Sequence, residues 1–336
     1  MPLRQIEIVI PKDRENECKK LLEDDSVEHY WQNASKSSGY MLKVLVDAVH
    51  TEKFLDKAEQ LFGGDKGYRL VMVSVDATLP RIEKEPEPEE KEPEGPAEKT
   101  LQGVRVSREE LYSDISDAVT LTRVYMALVI LSTIVAALGI LRDNTAVVVG
   151  AMVIAPLLGP NVGLALASAL ADAKLGFESI KSNLAGLIVA FIISILLGIF
   201  MTVDTELYHI ASRIEVHLSD ISLALASGAA GVLAYTMGMS TAVIGVMVAV
   251  ALLPPLVVAG LLLGEMQFDL AYFALLLTLV NVICVNLAGI ATFILQGVRP
   301  RTWYKTQKAK KANRIALSLW VSILLVLAVV IYFVLE

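Results

Sequence analysis

Two patterns of apolar and polar positions divide this chain: short alternation over the first 80 residues, and long uncharged blocks from Val124 onward. Ile6, Ile8 and Ile10 alternate with polar neighbours, which predicts a half-buried strand that Pro11 ends. Residues 13–23 place Cys18, Leu21 and Leu22 on one helical side. Val27 to Asn33 and Tyr40 to Val46 read as two further strands, separated by a turn over Ser35 to Gly39. Thr51 is expected to cap a helix whose Phe54, Leu55, Ala58, Leu61 and Phe62 form an apolar face, stopped by Gly63-Gly64. A last strand covers about Tyr68 to Val75. The order β-α-β-β-α-β predicts an α+β ferredoxin-like domain over residues 1–80, with two helices on one face of a four-stranded antiparallel sheet.

Residues 81–106 contain Glu83-Lys84-Glu85-Pro86-Glu87-Pro88-Glu89-Glu90, an acidic, proline-rich stretch unable to bury a core and therefore read as an extended linker. Residues 107–336 are expected to form an all-α transmembrane bundle. Ser107 followed by Glu110 is a capping-box pattern, so a helix starts near Arg108 and runs through Leu111, Ile115, Val119 and Val124 into the first span. The spans fall at about 120–141, 145–170, 183–203, 221–236, 240–263, 270–297 and 315–335. The stretch from Ile221 to Gly264 is uncharged over 44 residues. That is about twice the roughly 20 residues needed to cross once, so it crosses twice.

Sliding the sequence by 95 positions superimposes Gly150, Met152, Val153, Leu157, Leu158 and Pro160 on Gly245, Met247, Val248, Leu252, Leu253 and Pro255. Apolar matches between membrane segments mean little, but a coincident Gly, Met and Pro mean more, and we read an internal repeat. Spans one to three and four to six form two groups of three. Because three is odd, the second group enters from the opposite side, giving a 3+3 inverted repeat. Each middle span carries prolines, Pro156 and Pro160 or Pro254 and Pro255, which remove backbone donors and predict a broken or kinked helix. Paired broken helices form the binding site in many transporters. The alternative is that these prolines only shape packing.

Composition agrees with a membrane protein: 55% of the 336 residues are hydrophobic and the mean hydropathy is +0.58. The net charge of −7 is uneven, −8 over residues 1–98 and +1 over the rest. Nothing in it suggests nucleic acid. Cys18 and Cys284 have no paired spacing, so neither a disulfide framework nor a metal site is expected, and no cofactor is implied. Met1 to Ile10 has no signal-peptide pattern. A cytoplasmic N-terminus puts Arg105, Arg108, Lys174, Lys181 and the cluster from Arg299 to Arg314 inside, and an odd number of spans then places the C-terminus outside.

The later spans contain no Asp, Glu, His, Lys or Arg, which argues against intramembrane catalysis and against an enzyme. Neutral polar groups remain. Asn144, Asn161, Asn281 and Asn286 offer donors and acceptors to a polar solute, an ion or a neighbouring helix. With Pro156, Gly159, Pro160, Pro254 and Pro255 they form the candidate pathway, Asn161 foremost. Small residues recur every four positions from Ala155 to Ala171 and from Ser182 to Thr202, the spacing that lets helices approach closely. His209, Arg213 and His217 share one side of an outside segment, read as an exposed helix face. In the soluble domain, Lys12, Asp13 and Arg14 with Gly63, Gly64, Asp65 and Lys66 are candidates to hold a regulatory anion or nucleotide, although such loops are more often solvated turns.

The stretch Val147-Val148-Val149-Gly150-Ala151-Met152-Val153-Ile154-Ala155-Pro156-Leu157-Leu158-Gly159-Pro160, with Leu252-Leu253-Pro254-Pro255 and Val298-Arg299-Pro300, resembles the domain of unknown function 389 family of bacterial and archaeal membrane proteins. The likeness covers the whole membrane region, and the soluble domain is similar to the N-terminal part of one branch of that family. It implies a multi-span protein of the prokaryotic inner membrane and brings no activity, substrate or catalytic residue. The residues themselves favour a homo-oligomeric transporter or channel for a small solute or ion, with a cytoplasmic regulatory or assembly domain. The rival is a non-transporting, membrane-anchored ligand sensor or oligomeric scaffold.

Overall fold

A computed structural model of the chain describes residues 3–10, 14–22, 26–35, 39–65, 67–75, 106–239, 241–300, 314, 318, 320–326 and 329. The linker up to residue 105, Lys12, Asp13, Lys66 and the rest of the expected span 315–335 lie outside the described residues. The chain divides into two compact units, Met1–Glu110 and Leu111–Glu336.

In the first unit, β1 (Leu3–Ile10) is followed by α1 (Glu15–Leu22), β2 (Val27–Ser35), β3 (Gly39–Asp47), α2 (Ala48–Phe62) and β4 (Arg69–Val75). The sheet has strand order β2-β3-β1-β4 and every pairing is antiparallel. Register puts Ile6 beside Val44 and Ile8 beside Leu42, and these residues bury against Cys18, Leu21, Phe54, Leu55, Ala58 and Phe62 from the two helices. Strand alternation sends Gln5, Glu7 and Lys43 to the other face, where Lys43 Nζ donates to Glu7 Oε1 at 2.6 Å. Thr51 is not the cap of α2. The helix begins three residues earlier, and the Thr51 hydroxyl donates back to the Asp47 carbonyl at 3.0 Å.

Residues after the linker return to this unit. Arg108 forms ion pairs with Asp56 at 2.8 Å, Glu109 at 2.7 Å and Glu52 at 3.4 Å. Burial works against its charge, but the three carboxylates outweigh burial and its pKa is raised. The expected capping box is half formed. Glu110 N donates to Ser107 Oγ, whereas the Glu110 carboxylate accepts both Nε and Nη2 of Arg4, at 3.1 and 3.0 Å.

In the second unit, α3 (Arg108–Val119) contributes its later turns, followed by α4 (Arg123–Leu141), α5 (Thr145–Ile154), α6 (Leu158–Leu170), α7 (Ala173–Phe200), α8 (Tyr208–Ile214), α9 (Leu218–Thr236), α10 (Thr241–Gly264) and α11 (Phe268–Leu295). Among the described residues three helices, α4, α7 and α11, are long and apolar enough to cross a membrane, or up to five spans exist if each bent pair counts as one. The amphipathic start does not run on into the first span. Leu111, Ile115 and Val119 are buried on α3, the chain breaks at 120–122, and Thr122 Oγ1 caps α4 by accepting from Tyr125 N at 3.0 Å.

Close backbone approach holds α7 to α10. A Cβ on Gly260 would overlap Ser194 Cβ, and one on Gly198 would overlap the Leu261 carbonyl oxygen. Likewise, a Cβ on Gly289 of α11 would stand 2.9 Å from Ala165 Cβ of α6, and one on Gly228 of α9 would stand 2.8 Å from Val285 Cα of α11. Small side chains here are a packing requirement, since association in lipid depends on such approach.

Candidate functional site

Pro156 encodes the break between α5 and α6. It has no N–H for the Met152 carbonyl and its ring disfavours continued helix, so α5 ends at Ile154. Ala155, the residue before the proline, is extended at φ −67° and ψ 120°. The chain then bends by 51° into α6. Pro160 falls in the first turn of α6, where no intrahelical donor is needed, so it does not disturb the second half.

Asn161, one turn into α6, is 1% exposed. Its Nδ2 donates to the Leu157 carbonyl at the break, 2.8 Å away. Its Oδ1 accepts two bonds, from Asn183 Nδ2 of α7 at 2.8 Å and from Asn286 Nδ2 of α11 at 2.9 Å. Asn286 Nδ2 also reaches the Val282 carbonyl at 2.8 Å. Three helices thus meet through three carboxamides. Asn183 Oδ1 and Asn286 Oδ1 are buried with no hydrogen-bond partner.

Asn183 is the member that sequence reasoning missed, because it lies two residues after Lys181 and reads as the boundary of a span. Hairpin arithmetic points to it. The turn between α6 and α7 sits at Ala171, left-handed at φ 53°, and Asp172, whose Oδ1 caps α7 by accepting from Lys174 N and Leu175 N. Asn161 and Asn183 lie equally far on either side of Asp172, so antiparallel packing sets them face to face.

The other candidates take different places. Pro254 and Pro255 do not break their helix: α10 continues through both. Packing sustains it, since Leu253, Leu256 and Val257 belong to one buried cluster with Ala151, Met152, Ala155 and Leu157 around the first break. The two proline segments are therefore neighbours although only one is broken. Gly159 is buried beside α3, where a Cβ would stand 2.8 Å from the Ala118 carbonyl oxygen. Asn144 caps α5 at the end away from the break, its Oδ1 accepting from Val147 N at 3.2 Å. Asn281 is buried on α11 but lies five residues from Asn286, about 140° around the helix.

His209 is buried rather than on an exposed face. Arg213 Nη1 donates to His209 Nδ1 at 3.3 Å, which leaves Nε2 to carry the proton and donate to Thr145 Oγ1 at 3.0 Å. Asp143 Oδ1 accepts from His209 N at 3.1 Å.

In the first unit, Arg14 pairs with Glu17 at 2.9 Å and with Asp65 at 3.2 Å. The two candidate loops therefore meet through this arginine. The hydrogen bond to Glu17 and the charge of Asp65 raise its pKa, and both its ion-pair positions are occupied by the protein's own carboxylates. Gly63 and Gly64 form the turn after α2, with Asp65 N donating to the Phe62 carbonyl at 2.9 Å.

Among known proteins, the family model described as domain of unknown function (DUF389) matches residues 152–287, from within α5 to Leu287 of α11. An uncharacterised protein of Methanocaldococcus jannaschii is 38% identical over 335 residues, covering 99% of this chain and 100% of that protein. No solved structure matches.

Proposed function

This chain belongs to the family defined by domain of unknown function 389, and on that footing we propose that it is a membrane transporter or channel for a small solute or ion. One observation carries the reading. The break at Pro156 and the buried carboxamides of Asn161, Asn183 and Asn286 are joined in one network that retains two unpartnered oxygens. Broken backbone is tolerated at membrane depth only where protein or a wet cavity surrounds it, and polar groups held there mark pathways in transporters.

The inverted repeat is supported by paired contacts. Shifting Ser194 and Gly260 by 95 positions, forward and backward, gives Gly289 and Ala165, and both pairs are close approaches between helices. A two-fold relation between α5–α6–α7 and α10–α11 would produce this exchange. The sheet order and the βαββαβ sequence of the first unit support a ferredoxin-like regulatory domain. Basic residues flanking the spans support a cytoplasmic N-terminus in a prokaryotic inner membrane, and the tight helix faces are compatible with a homo-oligomer.

Liposomes reconstituted with the full chain should swell in a gradient of at least one solute among glycerol, urea, potassium chloride, sodium chloride and ammonium chloride. Swelling should be lost on Asn161→Leu. No permeation of any of them would overturn transport. The sensor or scaffold reading is favoured by a different feature, the open sheet face where Trp31, Val71 and Val73 are each nearly half exposed around the Glu7–Lys43 pair. A chain that carries no solute but loses self-association on Trp31→Ser and Val71→Ser would favour it.

A further inference from the structure

The carboxamide network has a direction. A backbone carbonyl accepts and never donates, so the contact of 2.8 Å to Leu157 O fixes which end of the Asn161 side chain is nitrogen. Asn161 Oδ1 must then face Asn183 and Asn286, and both must present Nδ2 to it. Val282 O fixes Asn286 the same way independently. What remains unused is therefore two acceptors, Asn183 Oδ1 and Asn286 Oδ1, both buried. Rotating either amide would set its oxygen against Asn161 Oδ1, acceptor against acceptor, and for Asn286 against the Val282 carbonyl as well, so the spare groups cannot be exchanged for donors.

A buried acceptor left unbonded forfeits the hydrogen bonds to water that it keeps in the unfolded chain. Two in one network call for an occupant. An anion is excluded by sign, since it would meet only carbonyl oxygens. We propose that Asn183 Oδ1 and Asn286 Oδ1 form a recognition site for a small monovalent cation, an alkali metal ion or ammonium. Neutral carboxamide oxygens replace a hydration shell as filter carbonyls do. They supply no compensating charge for a divalent ion, which is ordinarily held by carboxylates. The proposal deepens the transport reading and rests on it for flux, though not for binding.

The site sits where the break can act on it. Asn161 is tied to Leu157 at the break, so a change in the angle between α5 and α6 moves the acceptor that orients both spare oxygens. Occupancy and the bend are coupled through a single hydrogen bond.

Two readouts on the full chain separate the binding claim from the transport claim. In detergent, the unfolding temperature is compared in potassium, sodium, ammonium, choline and magnesium chlorides at equal ionic strength. In liposomes, uptake of rubidium, sodium and methylammonium is compared with that of chloride and glycerol. The expected result is a rise in unfolding temperature with a small monovalent cation over choline, and cation uptake reduced at least about tenfold by Asn183→Leu or Asn286→Leu, the lower end of what a lost bond to a charged group costs. Thr292→Val, buried on α11 but outside the network, should leave both unchanged. Permeation of glycerol or chloride alone, without a cation-specific shift, would sink the cation site and leave transport standing. A cation-specific shift without any uptake would leave the site standing and sink transport. Neither shift nor uptake would overturn both. The shift in the unaltered chain needs no variant, so misfolding of a substituted protein does not rescue the idea; equal stability in all five salts counts against it.

Discussion

Asn286 on α11 donates to Asn161 on α6 at 2.9 Å, although 125 residues separate them in sequence. With Asn183 the bond makes Asn161 Oδ1 the single acceptor on which α7 and α11 both depend. Asn161→Leu removes that acceptor, leaving Asn183 Nδ2 without a partner and Asn286 Nδ2 with Val282 O alone. The bundle should lose about 1–3 kcal/mol, the cost of buried polar groups left unbonded. Unfolding in detergent, followed against denaturant, checks this. Unchanged stability would show that water satisfies the stranded groups and that the network is not a structural tie.

The glycine contacts give a second test with a built-in control. Gly260→Ala places a methyl group where Ser194 Cβ stands, and the backbone of α7 must move. A loss of about 1–3 kcal/mol is expected for overpacking. Gly150→Ala meets nothing within 4 Å and replaces glycine in a helix interior, so stability should rise by up to about 1 kcal/mol. Melting temperatures of the two variants should move in opposite directions. Ser194→Gly in the Gly260→Ala background should restore part of the loss, because it removes the nearest clashing atom while the Phe191 carbonyl oxygen stays 3.0 Å away.

The positions of the helices were largely legible because lipid tolerates few charges, so uncharged runs mark α4, α9, α10 and α11 to within a few residues. The break at Pro156 was also legible, since a proline deletes a specific donor. Pro254 and Pro255 carry the same local signal, and yet α10 continues, because its neighbours decide whether a weakened helix holds. Burial of His209 was invisible for a related reason. Its partners Thr145 and Asp143 are more than 60 residues away, and only the tertiary fold brings them together. Within the asparagine cluster, Asn161 and Asn286 stood out as polar residues in apolar runs, whereas Asn183 was hidden by the charge of Lys181 two residues before it.

Acid should weaken the first unit in a defined window. The hydrogen bond from Lys43, with partial opposition from burial, holds the Glu7 carboxyl below its ordinary value of 4.5, and Arg14 does the same for Glu17. For a depressed carboxylate, the folded state binds fewer protons than the unfolded state between the two pKa values. The stabilisation is thus complete above pH 4.5 and is lost as pH falls through the folded value. Acid unfolding of the β-sheet, followed by circular dichroism of the full chain, should begin below pH 4.5. Glu7→Gln and Glu17→Gln together should flatten the pH dependence there, and an identical slope in the double variant would refute the assignment.

Pro156→Ala separates architecture from function most directly. Alanine restores an N–H for the Met152 carbonyl and removes the ring that forbids helix at Ala155, so α5 and α6 are free to merge. Helix propensity rises by roughly 3 kcal/mol at the substituted position, against which the packed surroundings of the 51° bend must compete. If the break serves transport, the variant should keep or gain thermal stability while solute flux in liposomes falls, and hydrogen exchange at residues 157 and 158 should slow as their amides become bonded. A break that only shapes packing predicts the reverse combination. Straightening would then pull Leu157 away from Asn161, disrupt the bundle and lower stability, with any fall in flux matching the loss of folded protein.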